Sequence, residues 1–162
     1  MQFLRIDAHD PLYPQTLALR EAVLLGPVGY TADRFKEAYP GIENRFEHFV
    51  AVVDSHAPGE ADPRRVVGVV CLLPGDPDPG SGKLMQMAVD PQRRGEGLGS
   101  RLLVELERRA FAELGLAELY CHAQLPAVPF YERHGWAVEG DEFEEAGIPH
   151  RVMRFRNTPP TG

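Results

Sequence analysis

The sequence has fewer basic than acidic residues and no long hydrophobic run, and each of these shortages excludes a class of protein. Lys36 and Lys83 are the only lysines among 162 residues, and 17 basic against 24 acidic residues give a formal net charge of −7. This charge argues against nonspecific nucleic-acid binding, whose affinity comes mainly from cations that meet phosphates. No apolar stretch approaches the roughly 20 residues that span a bilayer. We therefore expect neither a nucleic-acid partner nor a membrane.

Cysteine is also scarce. Cys71 and Cys121 stand far apart in apolar runs, without a CxxC pair or a Cys/His spacing suited to zinc. We therefore predict buried, reduced thiols and no metal site. The first ten residues, MQFLRIDAHD, contain no basic stretch followed by an apolar one, so we expect no secretory signal and a cytoplasmic location.

The remaining composition is that of a globular protein. Hydrophobic residues make up 43% and charged residues 25% of the chain, which excludes disorder as the main state. The length suits one ordinary domain, and no repeat or internal linker divides it. We predict a single domain over residues 1–157, a mobile loop over 55–65 and a disordered tail over 158–162.

Hydrophobic periodicity and turn residues predict a mixed α/β domain. Strands are predicted at residues 3–7, 46–54, 66–74, 83–90, 116–123, 136–140 and 151–156. Helices are predicted at residues 10–25, 32–39, 98–114 and 126–133. The helix over 98–114 is the longest, and its leucines recur at helical spacing from Leu98 to Leu114.

The segment VDPQRRGEGLGSRLL, residues 89–103, carries the clearest functional signal. A predicted strand ends there, and a long amphipathic helix begins after three alternating glycines, Gly95, Gly97 and Gly99. Glycines let the backbone turn its N–H groups towards a ligand, and a helix N-terminus adds positive potential. Arg93 and Arg94 add two cations. The pattern predicts an anion-binding loop, with a merely solvated glycine turn as the alternative.

Two common phosphate loops do not match this segment. A P-loop requires G-x-x-x-x-G-K-[ST], and neither that spacing nor its lysine is present. The dinucleotide fingerprint G-x-G-x-x-G also fails, because these glycines alternate and the strand before them is the fourth rather than the first.

The same residues resemble the GNAT acetyltransferase superfamily. Residues 92–97, QRRGEG, fit its Q/R-x-x-G-x-G/A signature, and residues 94–99 fit it a second time. Further matches follow in order, with QMAVDP before the loop, a strand that ends in AQ after the helix, and then FYERHGW. The closing GIPHRVM makes the chain similar to the ElaA/YjcF-like branch. The resemblance is strong over residues 84–153 and weak over 1–60.

This resemblance implies a fold and an activity. The fold is a GNAT-like single domain whose central mixed, mostly antiparallel sheet of six to seven strands splays between strands 4 and 5, flanked by about four helices. The implied activity is that of an acyl-CoA-dependent N-acyltransferase, with acetyl-CoA as co-substrate and no metal. Its partner is a small-molecule or peptide amine acceptor, and the protein is a monomer or homodimer.

The resemblance also implies which residues hold CoA. They lie on strand 4, in the glycine loop and around the helix after strand 5, namely Met87, Ala88, Val89, Arg93, Arg94, Gly95, Glu96, Gly97, Leu98, Gly99, Ser100, Gln124, Phe130 and Tyr131. The amide of Met87 or Val89 is a candidate oxyanion donor. Tyr131 is the candidate general acid for the departing thiolate, with a core aromatic packed beside Phe130 as the alternative.

No single position indicates the base. Many superfamily members carry a carboxylate on the fourth strand, and KLMQMAV has none. The candidates elsewhere are Glu43, Glu47, His122 and His150, and a proton relay through water needs none of them. The missing carboxylate favours one alternative, a catalytically inactive CoA-binding sensor or interaction module. A dinucleotide-binding oxidoreductase is the other alternative.

Overall fold

The structure is a computed structural model that describes residues 1–55 and 62–157. The predicted tail over 158–162 and residues 56–61 of the predicted loop lie outside the described residues. The strands are β1 (Gln2–Ile6), β2 (Glu47–Asp54), β3 (Arg64–Pro74), β4 (Ser81–Val89), β5 (Glu118–Gln124), β6 (Ala137–Glu145) and β7 (Ile148–Arg156).

Five α-helices connect these strands in the described part of the chain. They are α1 (Tyr13–Arg20), α2 (Ala32–Ala38), α3 (Ile42–Arg45), α4 (Leu98–Arg108) and α5 (Val128–Arg133). A π-helical segment extends α1 over Glu21–Leu25 and α4 over Arg109–Glu113. Among the described helices, none is long and apolar enough to cross a membrane.

The strands form one seven-stranded sheet in the order β1-β2-β3-β4-β5-β7-β6. β4 and β5 run parallel and pair over Ser81–Lys83 and Glu118–Tyr120, whereas β1 with β2, β2 with β3, β5 with β7 and β6 with β7 pair antiparallel. The predicted α/β class with a mixed, mostly antiparallel sheet is confirmed.

The chain divides into two compact units, of which the first comprises Met1–Leu72 and Gln86–Leu106. The centre of its sheet is covered on both faces, because every residue from Val66 to Leu72 except Gly68 has a buried apolar side chain and successive strand side chains point to opposite faces. Gly68 allows close packing, since a Cβ there would lie 3.0 Å from the side chain of Leu102 of α4. Leu102 belongs to the predicted apolar stripe, and Leu98, Leu102 and Leu106 of this stripe are buried.

The second unit comprises Leu73–Met85 and Glu107–Gly162. On one face of β5, Leu119, Cys121 and Ala123 are buried. Trp136 stacks on Phe155 with ring centroids 5.8 Å apart. The opposite face of β5 carries Tyr120, His122 and Gln124, which are partly or fully exposed. Both cysteines of the chain are free and buried, as predicted.

The hairpin of β6 and β7 is longer than the sequence analysis predicts. The first strand was expected to end at residue 140, and it continues to Glu145. The second was expected to begin at residue 151, and it begins at Ile148. Ala146 and Gly147 have φ of 51° and 74°, as a two-residue hairpin turn between twisted strands requires. Residues 139–145 are mostly polar and lack the apolar pattern that predicts a strand, because β6 is an edge strand whose side chains are largely exposed.

A buried ion pair lies in the interior of the first unit. Arg20 of α1 is fully buried and donates two hydrogen bonds to the carboxylate of Glu43 in α3, at 2.7 and 2.9 Å. The Tyr13 hydroxyl donates a third to the same carboxylate at 2.7 Å. The guanidinium also lies over the rings of Phe35 and Phe46, at 5.3 and 5.7 Å from their centroids.

The ion pair determines the charge state of Glu43. Burial by itself would raise the pKa of this carboxyl, but the hydrogen bonds and positive charge of Arg20 outweigh burial, so that the pKa is lowered. The stability that ionised Glu43 contributes is therefore complete above the pKa of an unfolded glutamate and is lost as the pH falls through the lower folded-state pKa.

We predict that Arg20→Met lowers the free energy of unfolding by about 3–5 kcal/mol, because it leaves the Glu43 carboxylate buried without its cation. Urea unfolding followed by circular dichroism measures the change. The matched control is Arg5→Met, whose guanidinium is 44% exposed and lies 3.7 Å from Glu47. The control should cost less than about 1 kcal/mol, and equal losses in the two variants would contradict the prediction.

Candidate functional site

The connection from β4 to α4 starts at Asp90, which hydrogen bonds hold in place. The backbone N–H of Asp90 donates to the carbonyl of Val67 at 2.9 Å, which ties the end of β4 to β3. The Asp90 carboxylate accepts from the amide of Gln92 at 3.0 Å and from the guanidinium of Arg65 at 3.1 Å. This carboxylate therefore turns the chain out of the strand and into the short 3-10 turn Pro91–Arg93.

Two glycines of the loop adopt a conformation that other residues rarely take. Gly95 has φ of 85° and Gly97 has φ of 78°, in the left-handed region that favours glycine. A Cβ added at either position would meet no atom within 4 Å. Backbone conformation rather than packing therefore selects glycine here, and the space beside the loop backbone is open to a ligand.

The helix that follows aims its first amides at this loop. Gly97 begins the helical hydrogen bonding, because its carbonyl accepts from the amide of Arg101 at 3.1 Å. The N–H groups of the first helical turn, among them those of Leu98 and Gly99, have no carbonyl partner within an α-helix. Leu98 is 5% exposed and anchors the start of α4 in the core. Such an N-terminus binds anions.

The two loop arginines are in different environments. Arg93 forms an ion pair with Glu96 at 3.5 Å, while Arg94 is exposed. The loop therefore combines exposed glycine backbone with two cations, of which Glu96 balances the charge of Arg93 and solvent screens that of Arg94. This combination suits a phosphate group, which needs hydrogen-bond donors and positive potential together.

Gln86 interrupts the regular course of β4 immediately before Met87, Ala88 and Val89. Its φ of 57° lies in the left-handed region, which costs a non-glycine residue about 1–3 kcal/mol. Arg20 holds this side chain, because its Nε donates to the Gln86 Oε1 at 3.3 Å. The guanidinium of the buried ion pair therefore contacts the residue at which β4 kinks, immediately before Met87 to Val89. Sequence analysis missed both Arg20 and Gln86, since no local pattern marks either residue.

In the second unit, Tyr131 lies on α5 and is 6% exposed. Its ring packs against Phe130 and Trp136, at centroid distances of 5.1 and 5.3 Å. Burial raises the pKa of Tyr131 well above its ordinary value, and a hydrogen bond with the Cys121 thiol adds to the shift. The phenol therefore stays protonated over the physiological pH range and acts as a hydrogen-bond donor. Gln124, at the end of β5, is exposed.

Two of the candidate bases meet at one carboxylate in the second unit. His122 Nδ1 lies 3.0 Å from one oxygen of Glu145, and His150 Nε2 lies 3.7 Å from the other. The sequence analysis missed Glu145, because the predicted strand ended at residue 140 and the observed strand β6 continues to Glu145. Within residues 1–55 and 62–157, no group of three or more His, Cys, Asp and Glu side chains is arranged to hold a metal ion.

The other two candidate bases lie in the first unit and are engaged with arginines. Glu43 is held by Arg20, which makes it a weak proton acceptor because its pKa is lowered. Glu47 starts β2 and lies 3.7 Å from Arg5.

Comparison with known proteins assigns the chain to a family. The sequence model of the acetyltransferase (GNAT) domain matches residues 37–157. The uncharacterized N-acetyltransferase YjcF of Bacillus subtilis is 35% identical over 119 residues, which cover 73% of this chain and 76% of YjcF. The protein YyaT of the same organism is 27% identical over 154 residues, 94% of each chain.

Solved structures share the fold at lower sequence identity. Escherichia coli ElaA has a TM-score of 0.74 at 19% identity, over 94% of this chain and 97% of ElaA. An aminoglycoside 6'-N-acetyltransferase complexed with coenzyme A has a TM-score of 0.74 at 18% identity, over the full length of both chains. The resemblance in the sequence is thereby confirmed, and the chain belongs to the GNAT acetyltransferase family, as an ElaA/YjcF-like member.

Proposed function

We propose that the protein is a cytoplasmic, acyl-CoA-dependent N-acyltransferase that transfers an acetyl group from acetyl-CoA directly to an amine. The proposal rests on one observation, the exposed loop before α4 in which Gly95 and Gly97 take left-handed conformations beside Arg93 and Arg94. Family membership and the CoA complex of a structural neighbour support the same donor.

The pyrophosphate of CoA would bind at this loop. The amides of residues 94–100 supply hydrogen-bond donors, and the N-terminus of α4 supplies positive potential. No atom lies within 4 Å of a Cβ added at Gly95 or Gly97, so neighbouring groups do not block a ligand from approaching the backbone there. The pantetheine arm would follow the backbone of Met87, Ala88 and Val89, in the manner of an added strand.

Direct transfer requires the amine nitrogen to attack the thioester carbonyl carbon. The C–N bond forms, the C–S bond breaks, and its electron pair goes to sulfur. The proton lost by the nitrogen after attack balances the proton that the thiolate gains. The amide of Met87 or Val89 is the proposed donor to the carbonyl oxygen as negative charge develops on it.

Tyr131 is the proposed donor of a proton or hydrogen bond to the departing thiolate. A phenol is protonated at neutral pH even at its ordinary pKa, and this is the state that can donate to the sulfur. The neighbouring Cys121 thiol does not compete as a nucleophile, because burial raises its pKa to about 12.

We predict that Arg94→Glu weakens binding of CoA about tenfold or more, because the change places a negative charge beside a diphosphate. Isothermal titration calorimetry with CoA measures the dissociation constant. The matched control is Arg45→Glu, the same charge reversal at an exposed residue that ends α3. Equal affinities of Arg94→Glu and wild type for CoA would contradict binding at the loop. If the wild-type protein bound NAD(P) and not CoA, the result would favour an oxidoreductase.

We predict that Tyr131→Phe lowers kcat about 10²-fold or more and leaves the affinity for acetyl-CoA nearly unchanged, because the hydroxyl acts on the leaving group. Thiol release from acetyl-CoA, detected over a panel of primary amines, measures kcat. Tyr30→Phe, at an exposed tyrosine over which Arg34 lies, is the control. An unchanged kcat would show that Tyr131 does not act on the leaving group. If the wild-type protein binds CoA but releases no thiol with any amine of the panel, the result favours the catalytically inactive CoA-binding sensor.

A further inference from the structure

A cluster of titratable side chains lies on the face of β5 opposite Cys121. His122 of β5 pairs in register with Val152 of β7, and His150 stands two residues before Val152. Both imidazoles therefore project from the same face of the sheet. Phe143 packs between them, with ring centroids 5.1 Å from His122 and 5.9 Å from His150. Glu145 follows Phe143 by two residues and joins them on this face.

The contact with Glu145 fixes the tautomer of His122. A carboxylate accepts hydrogen bonds and does not donate them, so the proton of a neutral His122 lies on Nδ1, 3.0 Å from Glu145 Oε1. The lone pair of the ring is then on Nε2, and Nε2 forms no hydrogen bond with the described residues. This is the arrangement in which a carboxylate orients an imidazole and stabilises the imidazolium that forms when Nε2 takes a proton.

Glu145 is anionic at neutral pH. The hydrogen bond from His122 lowers the pKa of this carboxyl, and that effect outweighs burial, which acts in the opposite direction. The side chain is 47% exposed, so a solute can reach it. Its second oxygen lies 3.7 Å from Nε2 of His150, whose Nδ1 lies 2.7 Å from the carbonyl of Ile148.

We propose that His122 and Glu145 form the acceptor site for a protonated primary amine, in which Glu145 attracts the ammonium group and His122 Nε2 removes its proton. This inference rests on the proposed function, since it names the acceptor class and the base for that reaction. The substrate class is a primary amine that is a cation at neutral pH.

Protons and electrons balance in this step. An N–H bond of the ammonium breaks, its electron pair stays on nitrogen, and the proton passes to His122 Nε2. The neutral nitrogen then forms the C–N bond with the thioester carbon, and the C–S electron pair goes to sulfur. The second N–H proton compensates the one that the thiolate gains, and His122 returns its proton to water.

The other charged and titratable groups on this face do not replace His122. Burial raises the pKa of Tyr120, whose hydroxyl donates to Asp76, so this phenol stays neutral. Arg154 of β7 is bonded to Glu139 of β6 and to Glu118 of β5. Lys83 of β4 acts on Glu145 by its charge. His150 shares Glu145 with His122, so the base is identified by changing His122 alone.

The test compares wild type with His122→Gln, Glu145→Gln and the control His9→Gln, an exposed histidine of the first unit. Acetyl-CoA is the donor, and benzylamine, ethanolamine and spermidine are the acceptors. We expect His122→Gln to lower kcat/KM at pH 7 about 10²-fold or more and to leave calorimetric binding of acetyl-CoA unchanged. Glu145→Gln should also lower kcat/KM at pH 7, and His9→Gln should leave kcat/KM unchanged.

The pH profile distinguishes a base from a structural residue. Below the pKa of the amine, kcat/KM of His122→Gln should rise about tenfold per pH unit, because only the free amine reacts, whereas wild-type kcat/KM should rise less steeply, because the enzyme itself takes the proton of the ammonium. A His122→Gln profile of wild-type shape, with kcat/KM within about twofold, overturns the proposal.

Binding of the amine is measured separately by NMR. The His122 ring resonances should move when benzylamine is added to wild type, and the shift should weaken in Glu145→Gln. If no amine of the panel releases CoA and none moves these resonances, the acceptor site is overturned. Binding of CoA to the glycine loop, measured by calorimetry, decides the proposed function independently of that result.

Discussion

The candidate site depends on how the chain leaves β4 and enters α4. Asp90 turns the chain at the end of the strand, and Leu98 anchors the helix in the core. Between these fixed points, Gly95 and Gly97 take left-handed conformations that bring backbone amides to the surface. The binding potential of the loop is therefore a property of main-chain geometry, to which the side chains of Arg93 and Arg94 add charge.

The interior of the first unit supports the neighbouring part of β4. A fully buried guanidinium is costly unless a carboxylate and hydrogen bonds satisfy it, and Glu43 and Tyr13 meet that requirement for Arg20. The Nε of the same guanidinium holds Gln86 in its left-handed conformation. Arg20 thus contributes both to the stability of the core and to the contact with β4 immediately before Met87 to Val89.

The second unit carries the groups suited to proton transfer, and it keeps them in two environments. Tyr131 is buried with Cys121, where desolvation holds the phenol in its protonated form. His122 lies on the opposite face of β5 with Glu145, partly open to solvent. Strand alternation produces this separation, because residues 121 and 122 of one strand must point to opposite faces.

The sequence by itself determined the α/β class, the apolar stripe of α4 and the glycine loop, because each depends on residues that are neighbours along the chain. The family resemblance followed from motifs of the same local kind. Only the tertiary structure decided that Arg20 neutralises Glu43 and that Glu145 joins His122. These pairs are 23 residues apart in each case, and their contacts depend on helix packing and on the register of a hairpin whose exposed, acidic edge strand has no apolar pattern to reveal it.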